Sequence, residues 1–188
     1  MASPFEANRR FVSKLQDDAD GYYRDFFGPC ERFPVEEIED GSVEAELDYS
    51  GTDQIIKTDG EPMTYHVAQR FRKRRSGGPT DFSIRVESSG FDTEYKKLML
   101  NQSETAAHLP GLYAFGITDD VDDGFGDFYF LSVELLVEAL KQDALRTERH
   151  RNFVDGSPDG TKAMYIPVGD LNKKGVIIAH YEDGDRRF

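Results

Sequence analysis

The stretch Tyr49–Arg75, YSGTDQIIKTDGEPMTYHVAQRFRKRR, reads as a β-hairpin. Ile55 and Ile56 mark a short first strand, Asp59-Gly60-Glu61-Pro62 a turn, and the residues through Arg72 a longer second strand. An acidic residue, Asp53, opens the hairpin. At its far end five positive charges fall within six residues: Arg70, Phe71, Arg72, Lys73, Arg74 and Arg75.

That cluster stands out because the chain is acidic. Its 188 residues hold 36 Asp plus Glu against 23 Lys plus Arg, a formal charge of −13. The acid excess is spread along the chain, and large apolar residues are modest in number, a composition expected of a halophilic source, archaeal or viral. In concentrated salt the Debye length shrinks to about 3 Å at 1 M, so net acidity does not exclude a nucleic-acid partner. The length favours one domain over residues 1–188. No apolar run approaches the roughly 18 residues that span a bilayer. The single Cys30 forms no internal disulfide and no charged, then apolar leader opens the chain, so a cytoplasmic setting is expected.

Outward from the hairpin, Ser3, Pro4 and Glu6 form a capping-box start for a helix that ends at Gly28-Pro29. Phe5, Val12, Leu15, Ala19, Tyr22 and Phe26 make its apolar stripe, with a break expected near Gly21. Val43, Ala45 and Leu47 alternate with Glu44, Glu46 and Asp48 as a half-buried strand. After the loop RSGGPT, DFSIRVES predicts another strand, and DTEYKKLMLNQ a short helix capped by Asp92 or Thr93. GLYAFGIT and DFYFLSV predict adjacent central strands joined by an acidic loop. SVELLVEALKQDALR predicts a helix behind a Ser132 cap, with Val133, Leu136, Val137 and Leu140 on one face. AMYIPV and GVIIAHY flank a turn at GDLNKKG, and EDGDRRF is expected to fray.

Several chemistries lack their motifs. With Gly124 as the sixth residue of a calcium loop, the third is Val121 and the twelfth Phe130, neither of them a side-chain ligand. His66, His108, His150 and His180 are scattered, and no H-E-x-x-H, G-x-S-x-G, G-x-G-x-x-G or Walker loop occurs.

The hairpin itself resembles the core of the PD-(D/E)XK nuclease superfamily, the restriction-endonuclease-like fold. There a helix precedes a sheet, an Asp begins the second strand, and the third strand carries Glu or Gln, a spacer and Lys. Asp53 in SGTDQII matches the Asp, and HVAQRFR occupies the third strand, with Ala68 at the Glu or Gln position and Arg70 at the Lys position. A register one residue later sets Gln69 at the first position and Phe71 at the second. Order is kept from Ser3 to about Leu140.

The resemblance implies an α+β domain with a central mixed sheet flanked by helices, N-terminal helix first. It also implies hydrolysis of DNA phosphodiesters with Mg²⁺, or Mn²⁺ in its place. Catalytic roles fall to Asp53, Gln69 and Arg70, and metal ligation to Asp53 and Asp48. Asp48, Glu46, Glu6 and Glu94 are the candidates for a carboxylate recruited in place of Ala68. Such chemistry needs a hard cation on carboxylate oxygens and a positive group near the phosphoryl. Arg70 supplies the charge but not proton transfer, since its pKa stays above about 12. Arg72, Lys73, Arg74 and Arg75 are the expected contacts to the DNA backbone, because each neutralised phosphate adds sequence-independent affinity. The family also implies a homodimer as the form that cuts two strands. The alternative is a DNA-binding or assembly protein of the same fold without hydrolysis, in keeping with Ala68.

Overall fold

The computed structural model of the chain describes residues 4–38, 51–59, 63–74, 80–87, 94–100, 110–120, 122–145 and 162–188. Helix α1 (Pro4–Phe27) is followed by strand β1 (Cys30–Pro34), a 3₁₀ turn (Val35–Glu37) and the hairpin strands β2 (Gln54–Thr58) and β3 (Thr64–Lys73). Next come β4 (Asp81–Glu87), helix α2 (Glu94–Leu100), β5 (Leu112–Thr118), β6 (Asp127–Ser132) and helix α3 (Val133–Lys141). The chain closes with β7 (Lys162–Pro167), helix α4 (Val168–Lys173), β8 (Ile177–Glu182) and β9 (Asp185–Arg186).

These elements form the expected α+β arrangement, N-terminal helix first. The central sheet has seven strands in the order β1-β2-β3-β5-β6-β8-β9, and β4 pairs with β7 in a separate ribbon. It is mixed: β3 and β5 run parallel, with Ala68 beside Tyr113 and Arg70 beside Phe115. The other neighbours are antiparallel. No described helix is long and apolar enough to cross a membrane.

Each face of the sheet buries its own apolar cluster. Leu15, Ala19, Tyr22 and Tyr23 of α1 pack on Val67, Ala114, Phe128 and Phe130. Ala68, Tyr113, Phe115 and Leu131 face the other way, against Phe82 and Ile84 of β4, Leu98 of α2 and Leu136 of α3. Strand β5 is buried at every residue because both of its faces are covered, which is why GLYAFGIT reads as a continuous apolar run. Ser132 caps α3 as expected, its Oγ accepting the Leu135 N–H, and the predicted apolar face of α3 is buried.

Four expectations need correction. Helix α1 runs through Gly21 unbroken. Gly21 is exposed, and the aromatic side chains beside it hold the helix to the sheet, outweighing a propensity cost of about 1 kcal/mol. Strand β1 was not expected, because its inward positions are Cys30, Arg32 and Pro34 rather than an apolar set. The GDLNKKG turn contains helix α4, and the strands flanking it belong to different sheets. The C-terminal segment does not fray: Asp183 and Gly184 adopt φ of 50° and 85°, and the Asp-Gly pair turns the chain into β9 against β8. The expected cap at Ser3, the strand around Val43–Leu47, Gly60-Glu61-Pro62 of the turn, and the caps at Asp92 and Thr93 lie outside the described residues.

Gly116 on β5 marks the closest approach on the α1 face. A Cβ there would lie 2.3 Å from the Phe125 ring. That ring meets Tyr22, Phe71 and Phe128 with centroids 6.0, 4.8 and 5.1 Å away, so it has no room to retreat. Gly116→Ala is expected to destabilise the protein by about 1–3 kcal/mol in a denaturant titration, the usual cost of overpacking.

Candidate functional site

Strand β3 alternates, and the alternation sorts the expected site residues. Val67, Gln69 and Phe71 face α1, whereas Ala68, Arg70 and Arg72 face α2 and β4. Asp53 sits immediately before β2 with its backbone held on both sides. Its N–H donates to the Val67 carbonyl (3.0 Å), and its carbonyl accepts the Val35 N–H (3.1 Å). Its carboxylate Oδ2 accepts the backbone N–H of Gln69.

Arg70 meets a second carboxylate. Its Nη2 lies 2.8 Å from Glu94 Oε2 at the start of α2, with the Arg70 side chain 38% and the Glu94 side chain 15% exposed. Glu94 is thoroughly engaged: Oε1 accepts the Tyr113 hydroxyl (2.7 Å), and Oε2 also accepts the Arg85 backbone N–H (3.2 Å). Burial works against the Arg70 charge, but Glu94, Tyr113 and Asp53 outweigh it and move the guanidinium pKa upward. Burial, then the negative charge of Glu94, pushes the Tyr113 hydroxyl up. Asp53 acts on both groups, so Asp53, Arg70, Glu94 and Tyr113 share one electrostatic neighbourhood. Among the described residues, Glu94 is the candidate for a recruited carboxylate that reaches this face. Asp48 and Glu46 lie outside the described residues, as does the side chain of Glu6.

Gln69 has other occupations. Its Oε1 accepts from Gln16 Nε2 of α1 (3.0 Å) and Gln54 Nε2 of β2 (3.4 Å), and its Nε2 donates to the Tyr23 hydroxyl (2.9 Å). Arg32 on β1 donates to Gln16 Oε1 and pairs with Asp20 at 2.7 Å. This network links α1 to three strands. Gln69 was singled out in the sequence for another role, whereas Gln16 and Gln54 were not, because glutamines carry no spacing signature. Beside it opens a cleft of about 200 Å³, lined by Val12, Gln16, Val35, Thr52, Gln54 and Gln69, with exposed Glu36 and Asp53 also contributing.

Among the described residues no group of three or more His, Cys, Asp or Glu side chains is gathered in a way that could hold a metal ion. Asp53, the expected ligand, offers one carboxylate, whose Oδ2 accepts the Gln69 N–H. Mg²⁺ is commonly held by one or two carboxylates, with substrate phosphate and water completing its shell, so the donor chemistry at Asp53 fits it.

The basic run divides. Arg72 lies over the Phe115 ring, 5.4 Å from its centroid, and Lys73 is exposed. Arg74 instead bridges Asp119 (3.0 Å) and Asp127 (2.6 Å) in the acidic loop. Arg75 lies outside the described residues. Asp127 also meets His180 Nε2 (2.9 Å) and the Tyr129 hydroxyl (3.1 Å), and the His180 ring stacks on Tyr129 at 4.4 Å. His180 thus has a structural setting that joins β8 to β6.

No protein-family model matches the chain, and no curated protein does. Among solved structures, the chain is similar to that of D212, a nuclease from a fusselovirus. The two are 10% identical with a TM-score of 0.43, over 92% of this chain and 90% of that one.

The Asp127 hub generates a pH prediction. Burial raises its pKa, but hydrogen bonds from His180, Arg74 and Tyr129 and the charge of Arg74 prevail, so the carboxyl sits below the usual range. A depressed folded-state pKa gives stability that is present above the unfolded value, about 3.9, and lost as pH falls through the lower folded value. Asp127→Asn is expected to flatten the acid limb of the stability profile below that range. At pH 7 the substitution should cost about 1.5–3 kcal/mol, the scale of charge-assisted hydrogen bonds.

Proposed function

We propose that the chain binds DNA across the Asp53–Arg70 end of the β2–β3 hairpin and hydrolyses its phosphodiester bonds as a Mg²⁺-dependent endonuclease of the PD-(D/E)XK type. The observation that carries this reading is the placement of Asp53 and Arg70, one immediately before β2 and the other on its hairpin partner β3, with the Asp53 carboxylate accepting the N–H of Gln69, the residue before Arg70.

The division of labour follows from residue chemistry. Asp53, with Asp48 as the second expected ligand, would hold Mg²⁺ or Mn²⁺, which when bound supplies water activation and polarisation of the phosphoryl group. Arg70 neutralises phosphate charge. Glu94 orients it from below by fixing one guanidinium edge, and Tyr113 fixes Glu94 in turn. Pre-set orientation matters because a donor already aimed at developing charge needs little reorganisation during reaction. Arg72 and Lys73 extend the positive strand end along the backbone, where phosphate contacts position the nucleic acid without reading its sequence. Gln69, the other expected catalytic residue, contributes through its backbone N–H, which holds the Asp53 carboxylate.

A second reading, a non-catalytic DNA-binding protein, draws on Ala68 and on Glu94. Ala68 offers no ligand oxygen, and both Glu94 oxygens already accept hydrogen bonds or pair with Arg70. Such a protein would keep the phosphate contacts and lack turnover.

Asp53→Asn separates the two. For an endonuclease, the substitution is expected to remove at least nine-tenths of Mg²⁺- or Mn²⁺-dependent cleavage on duplex, single-stranded or branched DNA in high-salt buffer. Affinity measured without metal should hold or rise. Wild-type protein that is folded yet cleaves none of the three substrates would leave the binding reading in place. Charge reversal at Arg72 and Lys73 should lower affinity about equally across sequences at matched salt. Unchanged affinity would assign those residues to protection of the strand against aggregation.

A further inference from the structure

Strand β1 inverts the usual order of a half-buried strand. Arg32 points toward α1 with its side chain 17% exposed and paired with Asp20, whereas Phe33, on the opposite face, is 38% exposed. Among the described residues β1 is also an edge of the seven-stranded sheet. An aromatic ring on the open face of an edge strand invites aggregation, and a charge there would guard against it. Departures of this kind from the local pattern concentrate at functional sites.

The ring has a defined place relative to the proposed phosphate site. Phe33 pairs with Ile55 of β2, and Ile55 with His66 of β3, so the three form one row across the sheet. Alternation sets that row on the face that carries Ala68 and Arg70. Asp53 precedes Ile55 by two residues, which makes it the diagonal neighbour of Phe33, a Cα spacing of about 7–8 Å. Ile55 and His66 are half-buried and continue the surface between them. Lys57 is exposed and holds its Nζ 4.7 Å from the Phe33 ring centroid. Glu31 opposes Lys57 in register and offsets its charge, so recognition here falls to the ring. An open aromatic face with a cation beside it, next to a phosphate site, is the composition of surfaces that hold single-stranded nucleic acid. Paired bases are stacked inside a duplex and present no face to such a ring, which leaves an unpaired base as the occupant.

We infer that Phe33 is a stacking platform for an unpaired nucleobase adjoining the phosphate at Asp53 and Arg70, so that the preferred substrate is single-stranded DNA or a duplex with a single-stranded end. This deepens the DNA-binding reading and rests on it. The base takes the place of the Lys57 ammonium over the ring, and Lys57 turns to a flanking phosphate. Every base has a π-face, so the platform accepts all four. A base already unpaired costs least to place there.

The chain has no Trp, so Phe33→Trp sets a single indole at the platform of the full-length protein and keeps an aromatic face there. A base stacked on the indole quenches its emission. Titration with a thymidine oligonucleotide, or with a duplex bearing a single-stranded thymidine end, should quench it saturably, and adenine or cytosine ends should do the same. A blunt duplex and an abasic sugar-phosphate oligonucleotide should not. In a binding titration without metal, the protein with Phe33 should favour the tailed duplex over the blunt one by roughly tenfold, within the range for stacking one base. Phe33→Ala should erase that preference. Phe33→Leu, which keeps apolar cover over Ile55, should erase it as well and serves if the alanine variant does not fold. Equal affinity for tailed and blunt duplex, with no quenching, would overturn the inference and leave the DNA-binding reading standing. Indole emission that shifts with protein concentration alone would also overturn it, by assigning the ring to contact between copies of the chain. No binding of any DNA would overturn both.

Discussion

The two-residue period of β3 is the constraint on which the other features depend. One strand sends Val67, Gln69 and Phe71 toward α1 and Ala68, Arg70 and Arg72 toward α2 and β4, so a slip of one residue would exchange a core for a charged surface. Parallel pairing with β5 and antiparallel pairing with β2 hold the register on both sides. Asp53 is fixed by the same pairing, because its N–H bonds to Val67 and its carboxylate to the N–H of Gln69. The polar network on one side and the Arg70–Glu94 pair on the other are therefore built on one strand.

The two sides use polarity differently. The α1 side spreads its hydrogen bonds over neutral amides and a tyrosine, whose hydroxyl is pushed up by burial against the pull of Gln69 and Arg32. On the α2 side the charge is concentrated. A half-buried ion pair of this kind gains little net stability over apolar packing, since desolvation offsets much of the attraction. Its contribution is orientation: Arg70 keeps a fixed direction with part of its surface open to solvent. Arg74 illustrates the opposite use of a cation, spent on Asp119 and Asp127 to hold the β5–β6 loop against the sheet.

Much of the fold was legible where periodicity and local chemistry agree. The β2–β3 hairpin, the paired central strands β5 and β6, and α3 behind Ser132 follow from alternation, continuous apolar runs and a cap. Strand β1 was hidden because its inward Arg32 is paid for by partners distant in sequence, Asp20 and Gln16. Gly21 misled because helix stability there comes from tertiary packing rather than propensity. For the site, the positions of Asp53 and Arg70 and the availability of Glu94 could be read from the hairpin and a resemblance. That Glu94 pairs with Arg70 could not, because it depends on where the crossover from β3 to β5 sets the start of α2. The amide cleft was invisible for the same reason: Gln16, Gln54 and Gln69 meet only through the packing of α1 on the sheet.

The central claim is that Asp53 and Arg70 together address a DNA phosphate. A crystal structure of the Asp53→Asn protein with a short duplex carrying a single-stranded end, grown with Mg²⁺, addresses it most directly. The account predicts a phosphate oxygen within hydrogen-bonding distance of an Arg70 guanidinium N–H, with the same phosphate beside residue 53. DNA seated elsewhere, with Arg70 held only by Glu94 and no phosphate near residue 53, would contradict it.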